Sequence, residues 1–188
     1  MVRSHPARRV RPGRHRGVPA VRRGRLGALR GLLAEHGLPA APDRISSVLD
    51  HFTRLPARPD TGEAMARLLD GVRVIVLTNG GDANTRNLLD GSGLLGQVER
   101  VVSIDEVGTW KPRAEVYRHA AGAIGVEPGR LGLIAAHAWD CHGAHRAGLV
   151  SEWVSRHERV VSPAFDPPDV RAETLPGVAE AMLRLPEG

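Results

Sequence analysis

Three short stretches carry polar residues of the kinds that bind or attack: Thr78-Asn79-Gly80, Lys111-Pro112 and His137-Ala138-Trp139-Asp140. Lys111 is the only lysine in a chain that uses arginine 25 times. A lysine offers a compact, rotatable ammonium where arginine offers a rigid planar fork, so the two are not interchangeable in a crowded polar site. Singly, each stretch has a bland reading: an Asn-Gly turn that takes awkward dihedrals, a solvated lysine, an aspartate capping a helix. A further group, His137, Cys141, His142 and His145, offers ligand types that suit zinc, and Cys141 and His145 lie one helical turn apart. A structural zinc site needs a complete ligand set in closed geometry, and this segment reads simply as loop plus helix, so no metal is expected. Cys141 with His142 makes a poor thiol catalyst, because adjacent residues on a helix do not face each other.

The elements that must position these residues alternate. RVIVL (73–77) is a short continuous apolar run, as expected of a parallel strand buried on both faces. A helix follows over 82–89, a strand over 98–104, a helix over 113–124, a strand over 131–136, a short helix up to Gly148, a strand over 150–154 and a last helix over 178–185. Strands alternating with helices predict an α/β fold with a doubly wound parallel sheet, whose ligands gather at the carboxyl ends of the strands. All three polar stretches fall at such ends. Before them, helical spacing predicts a helix from Leu26 to Gly37, a second over Ile45–Phe52 ended by Pro56, and a third from Asp60, where Asp60 and Glu63 imitate a capping box.

Charge divides the chain unevenly. Residues 1–34 hold ten arginines and no acid, while the rest hold 16 basic and 21 acidic groups. The body is therefore a mildly acidic globule behind a basic leader (residues 1–25), expected to be disordered or non-native. Three readings of the leader stay open: GC-rich DNA translated from a wrong start or frame, a solvated tail, or a basic arm for nucleic acid. The leader lacks aromatic residues for stacking and any defined helical face, so nucleic acid is not the expected partner. No apolar stretch is long enough for a membrane span, and a single cysteine, Cys141, excludes an internal disulfide and suits a reducing, cytoplasmic compartment.

Taken together, LTNGGDANTRNLL, SIDEVGTWKPRAEVYRHAA and LIAAHAWDCHGAHRAGLVSEWVSR closely resemble the haloacid dehalogenase superfamily, in particular its type II 2-haloacid dehalogenases, over about Leu32 to Leu185. The resemblance implies a Rossmann-like core over 58–188 and a remnant of a helical cap over 26–57. It implies a hydrolase without cofactor or metal that acts on a short 2-haloalkanoic acid and is often a homodimer. In that chemistry an aspartate displaces halide from carbon and forms an ester, which water hydrolyses. By the same resemblance, Thr78 bonds the substrate carboxylate or the nucleophile, and Asn79 cradles the leaving halide. Lys111 keeps the nucleophile ionised, Tyr117 stands near the substrate, Trp139 walls the halide pocket, and Asp140 holds Lys111 and helps orient water. The chain departs from the usual pattern at Ala135 and His137, where many members carry serine and asparagine, which leaves water activation open. Phosphatases of the superfamily place an acidic residue early in this loop for magnesium; its absence favours the dehalogenase branch.

The family's first motif, an apolar strand ending in the nucleophilic aspartate, has no counterpart before Glu35, the first acidic residue. The resemblance places that strand between those at 73–77 and 131–136, so two unpaired edges and an incomplete core are expected. Val18–Val21 is the only candidate substitute, and it is short and flanked by arginine. With no nucleophile the chain is expected to be inactive, and a degenerate, non-enzymatic relative is the competing reading.

Overall fold

The computed structural model describes residues 18–185; the expectations for residues 1–17 of the leader lie outside it. Three helices come first: α1 (Val18–Glu35), α2 (Pro42–His51) and α3 (Thr61–Leu69). The first begins at Val18, eight residues before the start expected from the leucine spacing, so Val18–Val21 is helical and not a strand. It stops where expected. Gly37 takes the left-handed region (φ 64°), and the N–H groups of Gly37 and Leu38 close back onto the carbonyls of Ala34 and Leu33. Pro42 and Asp43 open α2 with the favoured proline and negative charge of a first turn, yet α2 buries only Ile45. Leu38, Val48, Phe52 and Leu55 stay exposed.

Helix α3 packs Ala64 and Leu68 against Ala179 of the last helix, α7 (Leu175–Leu183). The capping box expected at Asp60 does not form: Asp60 makes no side-chain cap. Its carboxylate instead receives both terminal nitrogens of Arg156, at 3.1 and 2.8 Å, and the Leu175 N–H at 3.1 Å. A bidentate guanidinium outcompetes a local N–H as donor, and the arrangement ties the start of α3 to the start of α7.

The remaining elements alternate as expected: β1 (Ile75–Thr78), α4 (Asp82–Gly91), β2 (Arg100–Ser103), α5 (Ala114–Ala123), β3 (Gly132–Ala135), α6 (Ala138–Ala147) and β4 (Val150–Val154), then β5 (Val170–Ala172) before α7. All pairings are parallel, Val76 opposite Val101, Ile134 opposite Glu152 and Trp153 opposite Arg171 among them. The sequence gives no period for β5, which is three residues long and follows a proline-rich loop.

Among the described residues the strands form two sheets, β1–β2 and β3–β4–β5, with no ladder between β1 and β3. The two halves nevertheless share both hydrophobic faces. Leu77 joins Leu131 and Leu133 beneath Tyr117 and Ala144 on one face; Val74 joins Ile134 beneath Ala64, Leu68 and Ala179 on the other. The Glu99 N–H bonds the Val74 carbonyl and the Val150 N–H bonds the Leu131 carbonyl. By strand alternation, Ile75 and Leu77 on one side, and Gly132 and Ile134 on the other, then turn their backbone groups toward the slot between the half-sheets. Every residue of β1 and β3 is only half-buried, while β2 and β4 are mostly buried. That inverts the usual order of a parallel sheet, whose inner strands are the most covered.

Candidate active site

The site is assembled at the carboxyl ends of β1, β2 and β3. Strand β1 delivers Thr78 and Asn79 into the turn that precedes α4. The Gly80 N–H donates to Thr78 Oγ1 (2.8 Å), and Gly80 returns its carbonyl to the hydroxyl of Ser103 at the end of β2 (2.7 Å). Asn79 reaches across to the next loop, where its Oδ1 accepts the backbone N–H of Lys111 (3.0 Å). Asn79 thus fixes the loop that carries the lysine, while Ser103 ties the end of β2 to the turn after β1.

Lys111 is followed by a cis proline, and its ammonium turns inward. Nζ donates to Asp140 Oδ2 at 2.6 Å and lies 3.4 Å from the Leu77 carbonyl on the slot side of β1. Both charged side chains are about nine-tenths buried, at 10% and 8% exposure. Asp140 lies in the first turn of α6, where the helix dipole favours a negative charge. Its other oxygen accepts the hydroxyl of Tyr117 (2.6 Å), a residue of α5 with no exposure. Burial, and then the neighbouring Asp140 charge, push the Tyr117 phenol far above its ordinary range, so it serves as a fixed donor. Lysine, aspartate and tyrosine therefore form one hydrogen-bonded cluster with little solvent.

His137 and Trp139 face a different neighbour. Their rings stack, with centroids 5.8 Å apart and planes 16° off parallel. His137 Nδ1 pairs with Glu158 Oε1 at 2.7 Å, and the other Glu158 oxygen accepts the Ala138 N–H at 2.8 Å. Glu158 thus caps the first turn of α6, a task that His137 at the cap position does not perform. The Ala138 N–H, then His137, hold the Glu158 carboxyl below the usual carboxylate range. The residues of zinc-ligand type diverge: His142 Nδ1 meets the Asp166 N–H, His145 meets Asp169, and the Cys141 thiol meets the Glu152 carbonyl. Among the described residues no three His, Cys, Asp or Glu side chains converge as a metal-binding group.

Two positions escaped the reading of the sequence. Ser103 ends β2 as a buried cap, and its only sequence signal was a serine followed three residues on by Glu106, which together form a capping box. Gly143 lets α6 approach the lysine loop: a Cβ there would lie 2.7 Å from Pro112 Cβ and from Tyr117 Oη. Nothing local marks that glycine, because the crowding comes from other segments.

The family model for haloacid dehalogenase-like hydrolases matches residues 5–148. The chain belongs to this family. Among its relatives, (S)-2-haloacid dehalogenase 1 of Pseudomonas sp. (strain CBS-3) is 28% identical over 84% of this chain and 70% of its own length. A phosphoserine phosphatase of Thermus thermophilus is 34% identical over 76% of this chain and 60% of its own. The L-2-haloacid dehalogenase of Xanthobacter autotrophicus, solved with chloropropionic acid covalently bound, superposes with a TM-score of 0.76 at 20% identity, over 86% of this chain and 75% of that one. The haloacid dehalogenase fold seen in that structure is the fold of this chain. The relatives are longer than the part of them that the chain spans, about two thirds for an (S)-2-haloacid dehalogenase of Pseudomonas sp. (strain YL). No helix among the described residues is long and apolar enough to cross a membrane.

Proposed function

We propose that this hydrolase site serves displacement of halide from a short 2-haloalkanoic acid through a carboxylate nucleophile. The observation that carries the reading is the buried Lys111 ammonium, held by Asp140 and set beside the slot through the Leu77 carbonyl. A carboxylate placed at the slot's end would meet this charge and stay ionised. It would attack C2 of the acid, halide would leave with the bonding pair, and water would then cleave the ester. In this reading Thr78 meets the substrate carboxylate or the nucleophile, Asn79 cradles the leaving halide, Tyr117 fixes Asp140, and Trp139 walls the halide pocket. The slot between β1 and β3 is the place of a strand that ends in that carboxylate.

Among the described residues no acid other than Asp140 pairs with Lys111. Loss of a covalent nucleophile costs on the order of 10⁶-fold in a hydrolase, so residues 1–188 alone are expected to release halide from 2-chloropropionate at no measurable rate. Release that is abolished by Lys111→Ala would overturn the inactive part of the reading.

A phosphatase is the second reading, favoured by the Thermus relative. Magnesium asks for oxygen ligands, and the loop offers Ala135, Ala136 and His137 before Asp140, which is already committed to Lys111 and Tyr117. The residues present do not fit that ion. Phosphate release from phosphoserine, measured beside halide release, separates the two readings.

A further inference from the structure

Away from the Lys111 cluster, β4 buries a second acid. Glu152 is fully buried, and neither of its carboxyl oxygens has a hydrogen-bond partner among the described residues. It faces the same side of the sheet as Ile134, its neighbour in the ladder, and so lies beneath α7. Its room comes from Gly132, where a Cβ would lie 3.0 Å from Glu152 Oε1 and 2.6 Å from the Met182 methyl of α7. The carboxyl is thus sealed between β3 and the underside of α7.

Among the described residues, the charged groups on the helices and strand packed around it are engaged elsewhere. From α3 and α7, Arg67, Glu63, Glu180 and Arg184 pair with one another at the surface. At the start of both helices Asp60 is paired with Arg156. Arg171 of β5 lies over the Trp153 ring, on the sheet's other face. The charge that acts on it is that of Asp169, just before β5, an acid held by Ser151 and His145.

We propose that Glu152 is a proton-operated latch: α7 packs on the sheet over the protonated carboxyl, and loss of that proton releases the helix. An ionised carboxylate with no donor cannot stay in such a place, so it must keep its proton or gain water. Burial, and then the Asp169 charge, push the Glu152 carboxyl up to about 8. The closed state therefore binds a proton that the open state, near an ordinary glutamate value, gives up. The contribution to closure is complete below pH of about 4.5 and falls as pH rises, levelling off above about 8.

Amide hydrogen exchange of α7 in the full chain, corrected for intrinsic rates and followed from pH 5.5 to 9, tests the latch. The opening constant should rise roughly tenfold per pH unit up to about pH 8 and then level off, since one proton is released. It should be flat in Glu152→Gln. A wild-type profile that is flat, or a Gln profile with the same slope, overturns the proposal. Should Glu152→Gln not fold, Asp169→Asn gives the second arm: removing the neighbouring charge lowers the midpoint, and an unchanged midpoint counts against the latch. A ¹³C titration of the Glu152 carboxyl in the wild type must also end above pH 7; a midpoint near 5 refutes it.

Discussion

Replacing Asp140 by alanine is the sharpest test of how the site is held. The substitution leaves the Lys111 ammonium, 10% exposed, with only the Leu77 carbonyl at 3.4 Å, and it strips the acceptor from the Tyr117 hydroxyl. Breaking a buried ion pair by removing one partner costs about 3–5 kcal/mol, and orphaning a buried hydroxyl costs about 1–3 kcal/mol. The two losses share one carboxylate and do not simply add, so about 3–6 kcal/mol is expected, a large part of a typical domain's stability. Asp140→Asn keeps an acceptor for Tyr117 and should cost less. The double change Lys111→Met with Asp140→Leu removes both charges and should recover the ion-pair part of the loss, though not the Tyr117 acceptor, since a buried pair exchanged for apolar side chains is often neutral. Urea unfolding of the four proteins supplies the numbers. If Asp140→Ala costs below about 1 kcal/mol, as an exposed pair would, or if the double variant is no better than the single, the buried-cluster argument fails.

Gly143→Ala should destabilise by about 1–3 kcal/mol, because its Cβ meets Pro112 and Tyr117 well inside contact distance; a rise in melting temperature from the helix propensity of alanine would refute that crowding. Cys141 is 1% exposed, and burial followed by the Asp140 charge pushes its thiol up to about 12. It should therefore resist Ellman's reagent at pH 8 in the folded chain and react at once in urea; fast labelling without denaturant would contradict the packing.

The alternation of apolar runs and turn residues made the α/β order legible, and the three strand-end stretches fell where such a fold gathers its polar groups. Lys111, Asp140, Tyr117 and Asn79 do meet, across separations of 23 to 32 residues. What could not be read has physical causes. Asp60 looked like a local cap because nothing near it announced Arg156, 96 residues away, as a better partner. The Glu158 that caps α6 comes from a loop 20 residues on, and Gly143 is defined by neighbours from two other elements. The start of α1 lay under an arginine-rich composition that hides helical period. Strand β5 owes its existence to pairing with β4 rather than to its own three residues.

In the proposed reading, Lys111 would serve a carboxylate delivered through the slot between β1 and β3. Chloride release from 2-chloropropionate, measured with the full chain plus an apolar peptide ending in aspartate, tests it most directly. No release is expected from the chain alone, release with the aspartate peptide but not its asparagine counterpart, and none in Lys111→Ala. Release by the chain alone, or peptide-driven release that survives Lys111→Ala, would contradict it.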